Sequence, residues 1–270
     1  MDKNLKIGVV GLGLIGGSIF KELCALGFDV IGVSKSAGTI EKAKKYSFAT
    51  DSLQSLNDCD IVFVCTPMNK TISTLDELEN ILNENTIVTD VCSLKRFLQS
   101  KNRPQKYKFK FIPGHPMAGS EFSGFDNSIE GLFKEANWVL TPLDKNLKED
   151  IKKLENIIKS LGANPVFTTP EAHDEAVALI SHMPMLISQA IFKAACCNEL
   201  ALKIASSGFR DMTRLAISNE EMAKDMINLN SDNIQNALLK LYSSVGDLLN
   251  KDYFEQICEI KKQRKEMFKN

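Results

Sequence analysis

Residues 6–18 read KIGVVGLGLIGGS. Residues 7–10 form a short continuous apolar run, the pattern of a strand covered on both faces. Gly11, Gly13 and Gly16 follow as G-x-G-x-x-G, with Gly17 beside them, and the chain then takes up helical spacing. In a strand–turn–helix unit the first glycine allows the tight turn. The second lets backbone approach a pyrophosphate, and the third lets helix and strand pack closely. The helix start at Leu14 and Ile15 offers unpaired N–H groups and a positive dipole end to an anion. The motif's place directly after the first apolar run predicts a dinucleotide-binding unit. Gly11, Gly13, Leu14, Ile15 and Gly16 are its expected contacts.

The rest of the first half repeats this rhythm. Apolar runs at 29–33, 60–66, 86–90, 109–114, 137–141 and 165–167 alternate with helical patterns such as 16–26 and 147–161. That alternation predicts an α/β Rossmann-type, doubly wound parallel sheet. Thirteen of the 15 glycines lie at or before Gly162, and the last proline is Pro184. A boundary is expected between Pro165 and Pro170, giving a dinucleotide domain over 1–168 and an all-α domain over 169–270. In the latter, 172–202 is one long apolar-rich stretch that Pro184 should bend or break. Helical spacing continues over 222–229, 234–249 and 253–268. So apolar a helical region is expected to dimerise.

Composition removes other classes. With 33 Lys+Arg against 34 Asp+Glu the net charge is −1, without the basic excess of a nucleic-acid binder. No apolar run approaches membrane-span length and no signal-peptide pattern opens the chain, so the cytoplasm is expected. The seven cysteines are odd in number with no C-x-x-C pair, which predicts buried thiols in a reducing compartment. No histidine spacing suits a metal.

Ligands of open α/β sheets collect outside the carboxyl ends of the strands. The second strand ends in Val33-Ser34-Lys35-Ser36, where an NAD site usually carries Asp or Glu. Ser34 and Ser36 can hydrogen-bond a 2′-phosphate and Lys35 can offset its charge, so NADP is favoured over NAD. Thr66, Pro67 and Ser93 end two further runs and are candidate contacts on the nicotinamide side. His115, in Gly114-His115-Pro116-Met117-Ala118-Gly119-Ser120-Glu121, sits at the same edge and can accept a hydroxyl proton as hydride leaves. Arg210 and Arg214 are four apart, so on a helix they would share a face and could grip a carboxylate. Alternatively, Arg210 pairs with Asp211 at the surface.

Taken together, GLGLIGGS (11–18), TDVCSLK (89–95), GHPMAGSE (114–121), EAHD (171–174), SHMP (181–184) and GFRDMTR (208–214) resemble the prephenate/arogenate dehydrogenases of tyrosine biosynthesis. The resemblance implies oxidative decarboxylation of a cyclohexadienol. Hydride would pass to the nicotinamide, and CO₂ loss would aromatise the ring. It implies His115 as the group that takes the 4-hydroxyl proton, Ser93 as its orienting partner, and Arg214 as a carboxylate ligand. Arg210, His182, Gly208 and Ser120 would lie in the substrate region, with Glu121, His173 and Asp211 in supporting or gating positions. A homodimer through the helical domain is implied. Two positions depart from the pattern. Met185 stands where many prephenate enzymes have a second histidine, and Ala223 occupies a region where some members have tryptophan. With Ser34-Lys35, the Met185 departure is similar to NADP-preferring arogenate enzymes. A hydroxy-acid dehydrogenase would leave GHPMAGSE and SHMP without a reason. A dinucleotide-sensing module would bind without turnover.

Overall fold

A computed structural model describes residues 3–99, 106–120, 122–250 and 252–268. Six parallel strands form the main sheet in the order β3-β2-β1-β4-β5-β6: β1 Lys6–Val10, β2 Asp29–Val33, β3 Phe48–Thr50, β4 Ile61–Val64, β5 Ile87–Asp90 and β6 Lys110–Phe111. The order reverses between β1 and β4, where a doubly wound sheet opens its ligand crevice. Helices α1 Leu14–Ala25, α2 Ala37–Ala43, α3 Met68–Leu78 and α4 Arg96–Gln99 connect these strands.

Alternating side chains explain why the strands read as unbroken apolar runs. Ile7, Val9, Ile61 and Phe63 pack into one core with Phe20 and Leu23 of α1 and with Leu154, Ile157 and Ile158 of the helix Lys148–Ser160. Their neighbours Val10, Val62 and Val64 point the other way. They pack with Leu75 and Leu78 of α3, and with Val177, Met185, Ala223 and Met226 from the C-terminal helices. Both faces are therefore covered, and the second core joins the sheet to the helical region.

Three expectations need correction. The run 109–114 is not one strand. Pro113 has no N–H to donate, and the chain leaves the main sheet after β6. It starts β7 (Gly114–Pro116), which pairs antiparallel with β8 (Asn137–Leu140), itself parallel to β9 (Asn164–Phe167). This second, three-stranded sheet was not anticipated, and neither was β3, an edge strand of three residues whose Phe48 is exposed. The thiols are not uniformly buried either: Cys59 and Cys92 are buried, whereas Cys196, Cys197 and Cys258 are exposed.

The helical region begins where Thr169 caps Pro170–Val177, its hydroxyl accepting from Ala172 N at 3.2 Å. The chain continues through a π-turn, Ala178–His182, into the helix Met183–Ala195. Pro184 cannot donate to the Ile180 carbonyl and its ring crowds that oxygen. The widened turn absorbs both effects, so Pro184 bends the pattern without ending it. The stretch Pro170–Ala195 is long and apolar enough to cross a bilayer by length and composition, against the expectation. Its buried His173, Asp174 and His182 hydrogen-bond to neighbouring elements of the chain. Beyond it lie Glu199–Lys203, Ser207–Met212, Glu220–Leu229, Ser231–Asn250 and Tyr253–Met267. The last two expose Leu239, Tyr242, Leu249, Phe254 and Ile257.

Candidate active site

The three motif glycines sit in three different surroundings. Gly11 has φ +90°, and a Cβ there would lie 2.6 Å from the Cys65 carbonyl oxygen. At Gly16 a Cβ would lie 2.0 Å from the Gly11 oxygen, so helix and turn touch. At Gly13 a Cβ would meet nothing within 4 Å. Gly13 is thus not needed for folding, and the space beside it, at the N-terminus of α1, fits a pyrophosphate brought close to backbone. Gly13→Ala is therefore expected to keep the unfolding midpoint while weakening dinucleotide binding. A variant that binds as tightly as the wild type, measured by titration calorimetry, would contradict this assignment. Leu14 and Ile15 are half-buried at the start of α1.

The neighbouring strand ends complete a rim. Ser34 is half-buried and its hydroxyl accepts from Ser36 N at 3.3 Å; Ser36 in turn caps α2, accepting from Thr39 N at 3.3 Å. Lys35 is exposed beside them. After β4, Thr66 Oγ1 lies 3.3 Å from Thr71 Oγ1, and Pro67 precedes the first turn of α3.

Beyond β5 lies a buried polar assembly. Asp90 and Lys95 are both fully buried and form an ion pair. Lys95 Nζ also donates to the Gly114 carbonyl at 2.5 Å, and Asp90 accepts from Cys92 N at 2.8 Å and Gly114 N at 3.2 Å. The pair therefore ties the end of β5 to the first residue of β7, adjacent to His115. From the other side, Asp174 accepts backbone hydrogen bonds from Lys95 N (2.8 Å) and Arg96 N (2.9 Å). Its Oδ1 is also 2.7 Å from His173 Nδ1, and His173 Nε2 is 2.9 Å from His115 Nδ1.

Proton positions along this chain follow from the chemistry of its end. The two amides can only donate, so Asp174 is an acceptor and His173 Nδ1 carries a proton toward it. With His173 in its neutral form, Nε2 accepts and His115 Nδ1 donates to it. The remaining nitrogen of His115, Nε2, keeps its lone pair and makes no hydrogen bond among the described residues. Burial pushes His115 well below the ordinary 6.5, with the Lys95 ammonium adding to the effect.

The structure thus joins His115 to Asp174 through His173, in the way a base and its orienting groups are joined. Ser93 is half-buried in the segment between β5 and α4 but makes no hydrogen bond to His115; His173 holds that ring. The expected arginine face is not formed. The helix Ser207–Met212 ends before Thr213, and Arg214 opens a separate 3-10 turn, Arg214–Ile217. Arg210 is exposed, with Nε 3.7 Å from Asp211, the surface pairing considered from the sequence. Gly208 and Asp211 are exposed on the same helix. Arg214 is exposed with no ion pair among the described residues, while Leu215 beside it packs in the core that holds Met185 and Met117. Ser120 is exposed, its hydroxyl accepting from Phe122 N at 3.3 Å; Glu121 lies outside the described residues. Met185 and Ala223 are buried in the second core.

Sequence reasoning missed Asp90, Lys95 and Asp174 as parts of the candidate site. A carboxylate at the end of an apolar strand with a lysine five residues on was the available signal for the first two. The partners of Asp174 in the segment after β5 lie too far away in the chain to be read from spacing.

Comparison with known proteins adds the family. The model described as prephenate dehydrogenase, nucleotide-binding domain, matches residues 21–167, and that described as prephenate dehydrogenase, dimerization domain, matches 169–260. The prephenate dehydrogenase of Bacillus subtilis (strain 168) is 32% identical over 238 residues, 84% of this chain and 64% of that protein. That of Lactococcus lactis subsp. cremoris is 30% identical, over 80% of this chain and 62% of its own, so the chain spans less than two thirds of either relative. Among solved structures, Synechocystis arogenate dehydrogenase superposes with a TM-score of 0.82 at 35% identity, covering 97% of each chain. A complex of A. aeolicus prephenate dehydrogenase with hydroxyphenyl propionate and NAD+ gives 0.86 at 27% identity, covering 97% of this chain and 98% of that one.

Proposed function

The chain belongs to the prephenate dehydrogenase family, and on that premise we propose that it is a prephenate dehydrogenase, oxidising and decarboxylating prephenate to 4-hydroxyphenylpyruvate. The observation that carries this reading is the His115–His173–Asp174 chain, which leaves a neutral imidazole lone pair at the ligand edge of a sheet with a pyrophosphate-shaped glycine turn. A bound nicotinamide dinucleotide supplies the hydride acceptor, held by Gly11, Gly13, Leu14, Ile15, Gly16, Thr66 and Pro67. His115 Nε2 takes the ring-hydroxyl proton, and His173 and Asp174 keep that nitrogen unprotonated and oriented. Ser93 contacts cofactor or substrate beside it. Arg214 supplies a cation for a substrate carboxylate, with Arg210, Gly208, Ser120 and His182 in the substrate region. Glu121 and Asp211 act at its entrance.

Residues 1–168 form the dinucleotide-binding unit and 169–270 the unit for substrate and dimerisation. The exposed apolar residues of Ser231–Asn250 and Tyr253–Met267 support a homodimer, and the cytoplasm is the proposed location. A second reading, arogenate dehydrogenase forming tyrosine, draws on Met185 in place of a second histidine. Ser34, Lys35 and Ser36, with no carboxylate at the end of β2, favour NADP over NAD.

Reduced-cofactor formation measured with prephenate and arogenate, each with NAD and NADP, tests the assignment. Turnover of prephenate with NADP is expected to be fastest, faster arogenate turnover selects the second reading, and no turnover in any combination removes both. The pH profile tests the base. Turnover needs His115 unprotonated, so it is present above the His115 pKa and lost as pH falls through it. Because burial and the nearby Lys95 charge lower that pKa, the acid limb of kcat/KM is expected well below pH 6.5. A limb at or above 6.5 would point to another base.

A further inference from the structure

The charge on His173 decides which way the protons point along the hydrogen-bond chain to His115. As an imidazolium, His173 donates from both ring nitrogens. His115 Nδ1 would then have to accept, its proton would sit on Nε2, and the outward lone pair would be lost. Only a neutral His173 leaves His115 a base. Yet His173 Nδ1 lies 2.7 Å from the Asp174 carboxylate, and both side chains are buried. A buried carboxylate without a counter-charge draws a proton onto such a ring, because an uncompensated buried charge is costly. A neutral His173 therefore needs Asp174 to find its counter-charge elsewhere.

Arg96, the first residue of α4, is placed to supply it. Its main-chain N donates to Asp174 Oδ2 at 2.9 Å, and its guanidinium Nε lies 3.7 Å from the same oxygen. The guanidinium is held there from its far side. Nη2 donates to both oxygens of Asp232, at 2.9 and 2.8 Å, in the first turn of Ser231–Asn250. Asn230, two residues earlier, donates from Nδ2 to the Asp174 main-chain carbonyl at 2.8 Å, so the helix start that carries Asp232 is itself seated on Asp174. The hydrogen bond from Arg96 holds the Asp232 carboxyl below its ordinary value, which keeps the anchor charged. The other ionisable groups around His173 are engaged or neutral. Lys95 is paired with Asp90, and Lys240 with Glu175 at 2.9 Å. Burial holds His115 well below 6.5 and pushes His182 down to about 4, so neither is a cation near pH 7. Glu171 is exposed on the same helix as His173. Among the described residues, Arg96 is the cation left to face Asp174.

We propose that Arg96 is a positioning residue whose guanidinium supplies the counter-charge of Asp174, so that His173 stays neutral and His115 keeps its proton on Nδ1 and its lone pair on Nε2. The catalytic consequence rests on the function proposed above; the charge arrangement does not. Arg96 sits in the dinucleotide-binding half of the chain and both its carboxylate partners in the helical half, so the base is set in its working form only where the two halves meet.

The chain has only three histidines, so two-bond ¹⁵N–¹H correlation spectra of histidine-labelled protein resolve every ring, with His115→Asn and His182→Gln assigning the signals. At pH 7 the wild type is expected to show His115 and His173 as neutral rings protonated on Nδ1. Arg96→Gln keeps the main-chain N–H on Asp174 and removes only the charge. It is expected to turn His173 into an imidazolium and His115 into the Nε2–H form. The acid limb of kcat/KM should move up by about one pH unit, the low end of the range for a nearby charge, which is about a tenfold loss on that limb. Arg96→Lys keeps the charge and should restore both the spectrum and the limb. Asp232→Asn breaks the anchor but leaves the guanidinium, and should keep the wild-type tautomers. An imidazolium pattern for His173 in the wild type overturns the proposal, whether or not any variant folds. So does an Arg96→Gln variant with wild-type tautomers and pH profile. If Asp232→Asn reproduces Arg96→Gln, or Arg96→Lys fails to rescue, the guanidinium acts by docking the helix and its charge role is overturned. A wild type that turns over neither prephenate nor arogenate sinks the functional reading, while the spectra still decide the charge arrangement.

Discussion

Replacing His115 with asparagine is expected to lower kcat by about 10²- to 10⁴-fold, the range for loss of a positioned general base. Asparagine can still donate to His173 Nε2, 2.9 Å away from the ring nitrogen it replaces, but it has no basic nitrogen to receive the hydroxyl proton. The dinucleotide contacts lie in the turn after β1 and at the ends of β2 and β4, so cofactor affinity should not change. Loss of an interaction made only in the transition state lowers kcat and kcat/KM together. Steady-state kinetics beside cofactor titration checks both halves. A kcat within threefold of the wild type would remove His115 from the chemistry. Weakened cofactor binding would mean that the substitution had disturbed the β7 segment instead.

The largest effect on stability is expected at Lys95. Its ammonium is fully buried, pairs with the fully buried Asp90 and donates to the Gly114 carbonyl. In Lys95→Met the Asp90 carboxylate keeps only the backbone donors Cys92 and Gly114 and has no opposing charge. Removing one partner of such a pair costs on the order of 3–5 kcal/mol, because the other charge stays buried. Converting Asp90 to asparagine in the same chain removes that charge, so the double variant Lys95→Met/Asp90→Asn should recover much of the loss. Urea unfolding of the wild type and the two variants measures this. A loss below about 1 kcal/mol in Lys95→Met, or a double variant less stable than the single, would show that the pair is not the strut between β5 and β7. Activity should also fall, because Gly114 precedes His115 and the ammonium is among the charges that keep that ring neutral.

Local patterns carried much of the architecture. The strand–glycine–helix unit at 6–18, the strands at 29–33 and 137–141 and the helix over 147–161 match what periodicity predicts, within a few residues. Apolar runs without polar alternation implied a sheet buried on both faces, as its two cores are. Reading failed where one residue redirects the chain. Pro113 divides an apolar run between two sheets, and the end of a short helix at Thr213 separates Arg210 from Arg214. Each outcome depends on which neighbour supplies or withholds a hydrogen bond, and spacing does not contain that.

The sequence by itself determined the fold class and the dinucleotide turn and singled out His115 as the candidate base, because these depend on residues within a few positions of one another. Only the tertiary structure decided how the histidines are wired. His115 meets His173 across 58 residues, His182 meets Asn230 across 48, and Asn230 meets the Asp174 carbonyl across 56. The proton on an imidazole follows the donor or acceptor opposite its other nitrogen. That partner is set by which helices pack against which strand ends, so the hydrogen-bond partners of the three rings could be read only from the folded chain.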